Sequence, residues 1–470
     1  MYQYLFFDDQ KLFRRNNLTR NIVSPQLIAD SVFCDGISST DLRTPFVFKT
    51  DDGKYRMIYQ GRLPDGKDYA FLAISDDGIR FVPEDVTDRI TVEDRVADHE
   101  IFKIPCGEIA EIIEDPYNDP AERYKMLYCD NSDGENLVVH GYVYTSADLI
   151  HWNKIEGVEW NDGAEPITGV FYNKQRQCHT IMVRPDWGTR KVGYVDTKDW
   201  RTFTPYEISL QCDSLDDPLV EIYGMPAMAY GNYYIGFPLI YGNFEDTLAA
   251  KFSSGTMECE LAYSLDGHHW QRSLRDRFIT GLDEQSEQVF GYQNKMVWPS
   301  CFYTQENGDL LIFCAITKHQ HGYAFANPGD GKICAYRVKK DRFVALTAQG
   351  EGLLATRENI CNGGEVHINL SCAKATFAVY ESQNGDLFGS GHAIEGYSHE
   401  DCIPFSGDST DWVPQFKNGK KLDDLRGKTL ILEVKLTDGS IYSISGDLRP
   451  VMNLQGARYR VKGIAPTKEI

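Results

Sequence analysis

Short runs in which hydrophobic and polar residues alternate fill most of the chain, and turn-forming residues separate them. Alternation with a period of two predicts β-strands, and Asp-Gly or Ser-Ala-Asp turns are typical of hairpins between antiparallel strands. Residues 41–81 contain four such runs in succession. We interpret this stretch as one four-stranded antiparallel blade.

The same unit recurs four more times up to residue 346. Each unit has an aromatic-rich second strand, and a third strand that ends in Ser/Thr-x-Asp, followed by a short turn and a Trp or Phe. This second marker occurs at 75–81, 145–152, 196–203 and 263–270, and in reduced form at 336–343. The repeat predicts an all-β fold that contains a five-bladed β-propeller.

The units are spaced by about 50 to 70 residues, which is longer than a minimal propeller blade. The surplus is predicted to form loops at 84–105, 243–257 and 273–294. Long insertions at one position of a repeat gather on one face, which is often the binding face.

The chain on either side of the repeat has a different character. Residues 1–40 are interpreted as a lead-in that packs on the domains, and 41–346 as the propeller. After a linker-like Gly-Glu-Gly turn at 350–352, alternating runs continue. Residues 347–470 are therefore predicted to form a C-terminal β-sandwich.

Composition narrows the possible partners. The chain has 470 residues and a formal net charge of −21. A protein that binds the phosphate backbone needs a basic patch, so nucleic acid is excluded as a partner, and the acidity is explained by solubility. No apolar stretch is long enough to span a bilayer, and the N-terminus lacks the pattern of a signal peptide. We expect no membrane partner and a cytoplasmic location.

Cysteine usage and motifs bear on cofactors. The twelve cysteines are scattered singly, without a Cys-x-x-Cys pair, which predicts reduced and mostly buried thiols and no structural zinc. Gly-x-Gly-x-x-Gly, a phosphate loop and a nucleophilic Ser elbow are all absent from the sequence. No cofactor is predicted.

Several segments carry a resemblance to known proteins: 5–9, 114–125, 264–270, 296–299 and 425–432. They resemble the five-bladed β-propeller glycosidases, the group of invertases, levansucrases, arabinanases and β-xylosidases. The likeness is closer to bacterial glycosyl hydrolase-like proteins in which a β-sandwich follows the propeller. The invertase-type Trp-Met-Asn-Asp-Pro-Asn-Gly motif is absent. The resemblance implies glycoside hydrolysis but no particular sugar.

Glycoside hydrolysis needs two carboxyl groups, one protonated and one ionised. The resemblance implies that they come from the innermost strands of different blades. Asp41 is a candidate base or nucleophile, or else a turn cap. Glu221 is the leading candidate for the general acid and Glu165 is its rival; each is otherwise a strand-end carboxylate that faces solvent.

The second blade offers two glutamates on one apolar strand, Glu108 and Glu111. Alternation puts them on opposite faces. An acidic side chain in a buried strand is costly unless it is paired or functional, and Glu111 is preferred as the catalytic residue. Asp115, which precedes Pro116, is interpreted as a turn residue.

Three further residues are candidates for substrate binding. Trp298 offers a platform for the apolar face of a sugar ring, or it packs between blades. Arg43 and Arg184 would bind sugar hydroxyls or a substrate carboxylate, or form structural ion pairs. His319 and His321 alternate as a metal-ligand pair would, but no third ligand is identifiable and no metal is predicted.

The sequence therefore predicts a glycoside hydrolase that acts on a short oligosaccharide or glycoside through a pair of carboxylates. One alternative is a non-catalytic carbohydrate-binding protein, which would have aromatic residues and only one carboxylate in its channel. Another is a different enzyme on the same scaffold, such as a lyase or a phosphorylase; a phosphorylase would need a basic pocket for phosphate near the acid.

Overall fold

The computed structural model describes residues 1–117, 119–133, 138–160, 167–185, 190–242, 255–321, 327–381 and 392–451. Within these ranges the regular secondary structure is almost entirely β-strand, so the all-β prediction is confirmed. Most of the strands before β29 are short, and Gly, Asp and Asn turns separate them, as the alternating pattern requires.

The strands number thirty-two in the described residues. The first ten are β1 (Tyr2–Leu5), β2 (Leu12–Asn16), β3 (Thr19–Ile22), β4 (Gln26–Phe33), β5 (Ser39–Thr40), β6 (Phe46–Lys49), β7 (Tyr55–Arg62), β8 (Asp68–Ser75), β9 (Val82–Pro83) and β10 (Glu100–Ile104). The next nine are β11 (Glu108–Glu114), β12 (Tyr124–Asp133), β13 (Val138–Ser146), β14 (Asn153–Trp160), β15 (Ile167–Asn173), β16 (Cys178–Val183), β17 (Val192–Thr197), β18 (Glu207–Leu210) and β19 (Val220–Ile222).

The remaining strands are β20 (Ala227–Tyr230), β21 (Tyr233–Gly236), β22 (Leu239–Gly242), β23 (Thr256–Cys259), β24 (Ala262–Ser264), β25 (Gln271–Arg272), β26 (Met296–Thr304), β27 (Leu310–Thr317), β28 (Gly331–Val338), β29 (Val344–Thr356), β30 (Asn359–Glu381), β31 (Phe405–Trp412) and β32 (Thr429–Pro450). One α-helix is described, α1 (Glu284–Phe290); Asp283 caps its first turn and Gly291, in the left-handed conformation, ends it. Two short 3₁₀ turns lie at Pro120–Glu122 and Leu422–Leu425.

The chain divides into two compact units. One combines Met1–Val23 with the chain from Lys339 onward, and the other is Ser24–Val338. The lead-in predicted at residues 1–40 is thus shared between the units.

The larger unit contains four sheets in a propeller-like arrangement. Three of them have four strands each in simple order: β11–β14, β15–β18, and β20, β21, β24, β25. The remaining sheet, which is the first blade along the chain, is built on β5–β10. The strands β6, β11, β15 and β20 contact one another in that order, which makes them the innermost strands of the blades. A further seven-stranded sheet has the order β19-β22-β23-β26-β27-β28-β4. Four blades are resolved as separate sheets, so the predicted count of five is not established by strand pairing alone.

The repeated Ser/Thr-x-Asp marker forms the same turn in all four blades. In the fourth hairpin of this kind, Asp266 Oδ1 accepts hydrogen bonds from the backbone N–H groups of His268 at 3.0 Å and His269 at 2.9 Å. Ser264 Oγ lies 3.0 Å from the same oxygen. Equivalent bonds are made by Asp77, Asp148 and Asp199. The marker is therefore a structural turn, and His269, whose Nδ1 lies 2.6 Å from Asp266 Oδ2, belongs to it.

The aromatic residue after this turn packs between neighbouring blades. Trp270 is buried and meets Phe171 of the preceding blade edge to face, at a centroid distance of 6.1 Å. Phe81 meets Phe313 of β27 in the same way, also at 6.1 Å. Such edge-to-face pairs stabilise the packing beyond the apolar area that they bury.

The smaller unit is one seven-stranded sheet, built on β1–β3 and β29–β32. It curls, because Asn359 at the start of β30 is opposite both Leu430 and Pro450 of β32. Alternate residues of β32, such as Leu432 and Val434, are buried in its core. The predicted sandwich stays a prediction, since strand pairing joins all seven strands into a single sheet.

All twelve cysteines lie in the described residues; none forms a disulfide, and most are buried. In the same residues no helix has the length and apolar character needed to cross a membrane.

Candidate functional site

The first blade opens on a tight turn that presents Asp41 and Arg43 ahead of β6. Asp41 N donates to Gln60 O at 2.8 Å, and Asp41 Oδ1 accepts from Arg43 N at 2.9 Å. Asp41 is thus a buried cap of the turn, as one of its two predicted roles requires. Gln60 also ties the first blade to the second, since its Oε1 accepts from Ile109 N at 3.0 Å.

Glu108 opens the innermost strand of the second blade and pairs with Arg43. Nη1 of Arg43 bonds Glu108 Oε2 and lies 3.9 Å from Asp41 Oδ1. Gly107 allows this placement, because a Cβ at that position would come within 1.9 Å of Cys129 O. Glu108 is 5% exposed, and among the residues that the structure describes no group bonds its Oε1. An unpartnered oxygen on a buried carboxylate is costly, which makes Glu108 a candidate for contact with a ligand.

Trp298, on β26, continues the same surface. The Arg43 guanidinium carbon lies 6.0 Å from the centre of the Trp298 ring. On its other side Trp298 meets Tyr223 at a centroid distance of 5.5 Å and an angle of 74°. Trp298 thus links the arginine of the first blade to an aromatic cluster.

The aromatic cluster consists of Tyr223, Tyr241 and His321. The hydroxyl of Tyr223 lies 3.2 Å from Nε2 of His321, and the three rings meet pairwise at 5.5 to 5.7 Å. Burial raises the pKa of Tyr241 to about 12, although the nearby Arg190 charge acts in the opposite direction. Both tyrosines are buried, so the cluster is a fixed wall.

Glu221 lies beyond the cluster and is held by Arg190. The backbone N–H of Arg190 donates to Glu221 Oε1 at 3.2 Å, and its Nη1 donates to Oε2 at 2.6 Å. The Arg190 guanidinium sits 4.8 Å from the Tyr223 ring and 4.9 Å from the Tyr241 ring. It is 7% exposed, and its Nε has no hydrogen-bond partner in the described part of the chain. A carboxylate bonded in this way to a guanidinium is stabilised in its ionised form.

Arg184 joins the same cluster, since its guanidinium lies 5.7 Å from the Tyr223 ring. We call the assembled surface the candidate site and define it by six residues: Arg43, Glu108, Arg190, Glu221, Tyr223 and Trp298. Of the residues predicted from the sequence, the structure brings Asp41, Arg43, Arg184, Glu221 and Trp298 to this surface.

Glu111 lies further along β11 than Glu108. The prediction that the two occupy opposite faces is wrong, because a bulge between Ile109 and Glu111 shifts the register. Glu108 is opposite Cys129 and Glu111 is opposite Leu127; these two are alternate residues of β12, so the glutamates share a face. Burial raises the pKa of Glu111 well above its usual range, despite the bond from Ile112 N. Burial therefore favours the protonated form of this carboxyl.

The remaining predicted residues lie elsewhere. Glu165 is outside the described residues. Asp115 is structural, as expected: Oδ1 accepts from Tyr117 N at 3.0 Å and Oδ2 from Trp200 Nε1 at 2.7 Å. His319 pairs with Asp330 at 3.0 Å. His319 and His321 thus have different partners, and the described residues contain no cluster of three or more metal-ligating side chains.

The sequence interpretation missed Arg190, Tyr223 and Tyr241 and ranked Glu108 too low. Tyr223 had a usable signal, because it lies two residues after Glu221 at a strand opening and so shares its face. Tyr241 lies directly opposite Glu221 on β22, which only strand pairing reveals. Arg190 follows β16 in a segment with no recognisable motif.

No protein-family model and no curated protein matches the chain. Solved structures of carbohydrate-active enzymes overlap with it. A thermostable family-43 glycoside hydrolase gives a TM-score of 0.43 at 12% identity and covers 67% of this chain and 95% of its own. A glycosyl hydrolase from Bacteroides ovatus gives 0.41 at 14%, with 70% and 96% covered. A β-1,2-mannobiose phosphorylase from Listeria innocua gives 0.41 at 11%, with 69% and 97% covered. At this level of similarity the function rests on the geometry of the candidate site.

Proposed function

We propose that the protein is an enzyme that cleaves a glycosidic bond at the candidate site. The observation that carries the proposal is the placement of two carboxylates, the buried Glu108 and the partly buried Glu221, at the two ends of one aromatic surface. They come from different sheets, and Arg43, Trp298, Tyr223 and Arg190 connect them by successive contacts. Aromatic rings accept the apolar face of a sugar, and carboxylates act on the bond beside it.

The charge state of each carboxyl supports a division of roles. Glu221 is bonded to Arg190 and so suits a base or nucleophile, not the general acid that the sequence suggested. Burial raises the pKa of Glu111 well above its usual range, which favours the protonated carboxyl. We assign the general acid to Glu111, which lies outside the six defining residues but on the same face of β11 as Glu108, and we assign Glu108 to contact with the substrate. A carboxyl kept neutral by an apolar environment is a common solution for an acid that must work near pH 7.

The roles are tested with aryl glycosides whose leaving groups differ in basicity. Glu111→Gln should slow cleavage of a nitrophenyl glycoside strongly, and cleavage of a dinitrophenyl glycoside much less, because a good leaving group needs no proton. Glu221→Gln should slow both equally. Equal loss for both substrates in Glu111→Gln would remove Glu111 from the acid role.

A non-catalytic carbohydrate-binding protein is the first alternative. It predicts aromatic residues with only one carboxylate, whereas the candidate site has Glu108 and Glu221, with Asp41 3.9 Å from the Arg43 guanidinium. The presence of two carboxylates, where a binding protein needs only one, favours an enzyme. If a broad panel of aryl glycosides and oligosaccharides binds but none is turned over, the alternative would stand.

A phosphorylase is a second candidate, because one specific observation favours it. Arg184 and Arg190 both lie within 6 Å of the Tyr223 ring, and Arg43 approaches Trp298 from the other side. In this reaction a phosphate oxygen bonds to the anomeric carbon, the glycosidic C–O bond breaks and the general acid protonates the departing oxygen. Formation of a sugar 1-phosphate only when inorganic phosphate is present would distinguish it from hydrolysis.

We further infer that β26–β28 together with β4 form a fifth blade. Its first strand, β26, contacts β6 of the first blade, as neighbouring innermost strands of a propeller do. Phe313 of β27 packs on Phe81, in the way Trp270 packs on Phe171. In this arrangement Trp298 stands on an innermost strand, level with the other strand openings. We also propose that the curled C-terminal sheet folds over as a sandwich.

A further inference from the structure

A cavity lies between the first two blades, and none of the six residues of the candidate site lines it. Its volume is about 430 Å³, within the range of small-ligand pockets. One wall comes from the loop predicted at 84–105, through Ile90 and Phe102 among others. The other wall is the face of the second blade formed by β12–β14.

The blade wall is rich in half-buried aromatic rings. Tyr142, Tyr144 and Trp152 all line the cavity and retain partial exposure. Trp152 occupies the position of the repeat at which Trp270 is buried. Its indole N–H donates to Leu149 O at 3.0 Å within its own turn, so the ring offers the cavity only its apolar surface.

Charged groups of both signs accompany the rings. Asp130 and Lys154 line the cavity, and the Lys154 ammonium lies 3.2 Å from the centre of the Tyr142 ring. Burial, with a contribution from Asp130, raises the pKa of Tyr144, which keeps its hydroxyl neutral. A carboxylate that accepts and an ammonium and phenol that donate match the hydroxyl groups of a sugar, while the rings match its apolar face.

The cavity also adjoins the strand that carries Glu108. The hydroxyl of Tyr128, another lining residue, donates to Cys106 O, in the short connection from β10 to β11. Glu108 is the first residue of β11, two positions further on. The cavity nevertheless lies on the other face of the second blade from Glu108, because its lining residue Tyr128 alternates with Cys129, the partner of Glu108, along β12.

We propose that this cavity binds a sugar residue of a neutral oligosaccharide, as a subsite distinct from the candidate site. The class of ligand rests on the proposed function, but the site does not. Its aromatic rings and charged groups are all present in the cavity without the catalytic carboxylates.

The test measures binding separately from turnover. Cello-, xylo-, manno- and arabino-oligosaccharides of two to six residues are titrated calorimetrically into Glu221→Gln protein, in which turnover is blocked. Adding Trp152→Ala should weaken the best-binding oligosaccharide by about tenfold, the value of one aromatic contact. The matched control is Phe203→Ala, which removes the equivalent half-buried ring of the third blade and should leave the affinity unchanged.

Two further measurements keep the result interpretable. Asp130→Asn preserves the shape of the cavity and should also weaken binding, so the test survives if Trp152→Ala does not fold. In otherwise wild-type protein, Trp152→Ala should leave turnover of a nitrophenyl monoglycoside unchanged. Unaltered affinity in both cavity variants, or no binding by any oligosaccharide of the panel, would overturn the subsite. Binding that depends on Trp152 in a protein without glycosidase activity would overturn the proposed function and retain the subsite.

Discussion

Two sets of acidic residues on the blades have the same chemistry and opposite surroundings. The aspartates of the Ser/Thr-x-Asp turns accept hydrogen bonds from N–H groups of their own hairpin, as Asp266 does from His268 and His269. The carboxylates of the candidate site are held by guanidinium groups from other parts of the chain, Glu108 by Arg43 and Glu221 by Arg190. Glu108 also retains an oxygen that no described residue bonds.

The difference separates architecture from function. A carboxylate whose oxygens accept hydrogen bonds from its own turn is not available to a ligand, and its role is structural. A carboxylate that is fixed through one oxygen and open through the other is positioned but unsatisfied. Repetition of a carboxylate along the chain is therefore weaker evidence for function than the way in which it is satisfied.

The largest expected effect comes from the carboxylates that guanidinium groups hold at the candidate site. Glu221→Gln should lower kcat by about 10² to 10⁴-fold, because it removes a charge that the reaction uses. Its melting temperature should stay near that of the wild type, since the amide still accepts a bond from Arg190. Steady-state kinetics with thermal unfolding of the same samples measure both, and Asp266→Asn is the control that should retain turnover. If Glu221→Gln kept the wild-type kcat, the carboxylates of the candidate site would be no more functional than the turn aspartates.

Removing the cation should be costly for the fold as well. Arg190→Ala removes the guanidinium that holds the partly buried Glu221, and we expect a loss of about 3 kcal/mol in the free energy of unfolding. Urea denaturation measures the change. The double variant Arg190→Ala with Glu221→Gln should recover part of it, and additive losses would show that the pair is not coupled.

Glu111 should give stability a distinctive pH dependence. Because burial raises its pKa in the folded state, the folded protein holds a proton that the unfolded chain releases above about pH 4.3. Its contribution is therefore lost as pH rises from that value through the folded pKa. Glu111→Gln should flatten this decline in melting curves recorded from pH 4 to pH 8. An unchanged slope would show that Glu111 is ionised in the folded protein.

The turn aspartates should give the smallest effect and the opposite sign. Burial alone would raise the pKa of Asp77 and Asp266, but hydrogen bonds to the carboxylates outweigh it and lower both values. Their contribution is present above the unfolded value near 3.9 and is lost as pH falls through the folded value. Asp266→Asn should cost about 1 kcal/mol at pH 7 and less at pH 3. A larger cost at pH 3 than at pH 7 would contradict this assignment.

The sequence allowed local features to be predicted, and these are the turns. Ser264, Asp266 and Trp270 lie within one hairpin, so their pattern is legible without the fold. The bulge between Ile109 and Glu111 could not be predicted from the sequence, since it is defined only by the pairing with the neighbouring strand. That single extra residue reversed the predicted relation of Glu108 and Glu111.

The aromatic surface of the candidate site could not be predicted either, because it too depends on contacts between separate strands. Trp298 and Glu221 were identified, because a large aromatic and an acid at strand openings stand out. The contacts that join them, through Tyr223 and Arg190, connect segments that are distant along the chain and carry no shared motif. Such contacts depend on the closure of several sheets together.

The pairing of β4 with β28 has a consequence for how the protein is made. Phe33 pairs with Ile333, and in the other unit Tyr4 pairs with Ile444. During synthesis both early strands therefore emerge hundreds of residues before their partners. Their edges remain unpaired until those partners are made. Contacts so distant in sequence form slowly, and exposed strand edges invite pairing with other chains. We expect the nascent chain to depend on chaperones until its last strands leave the ribosome.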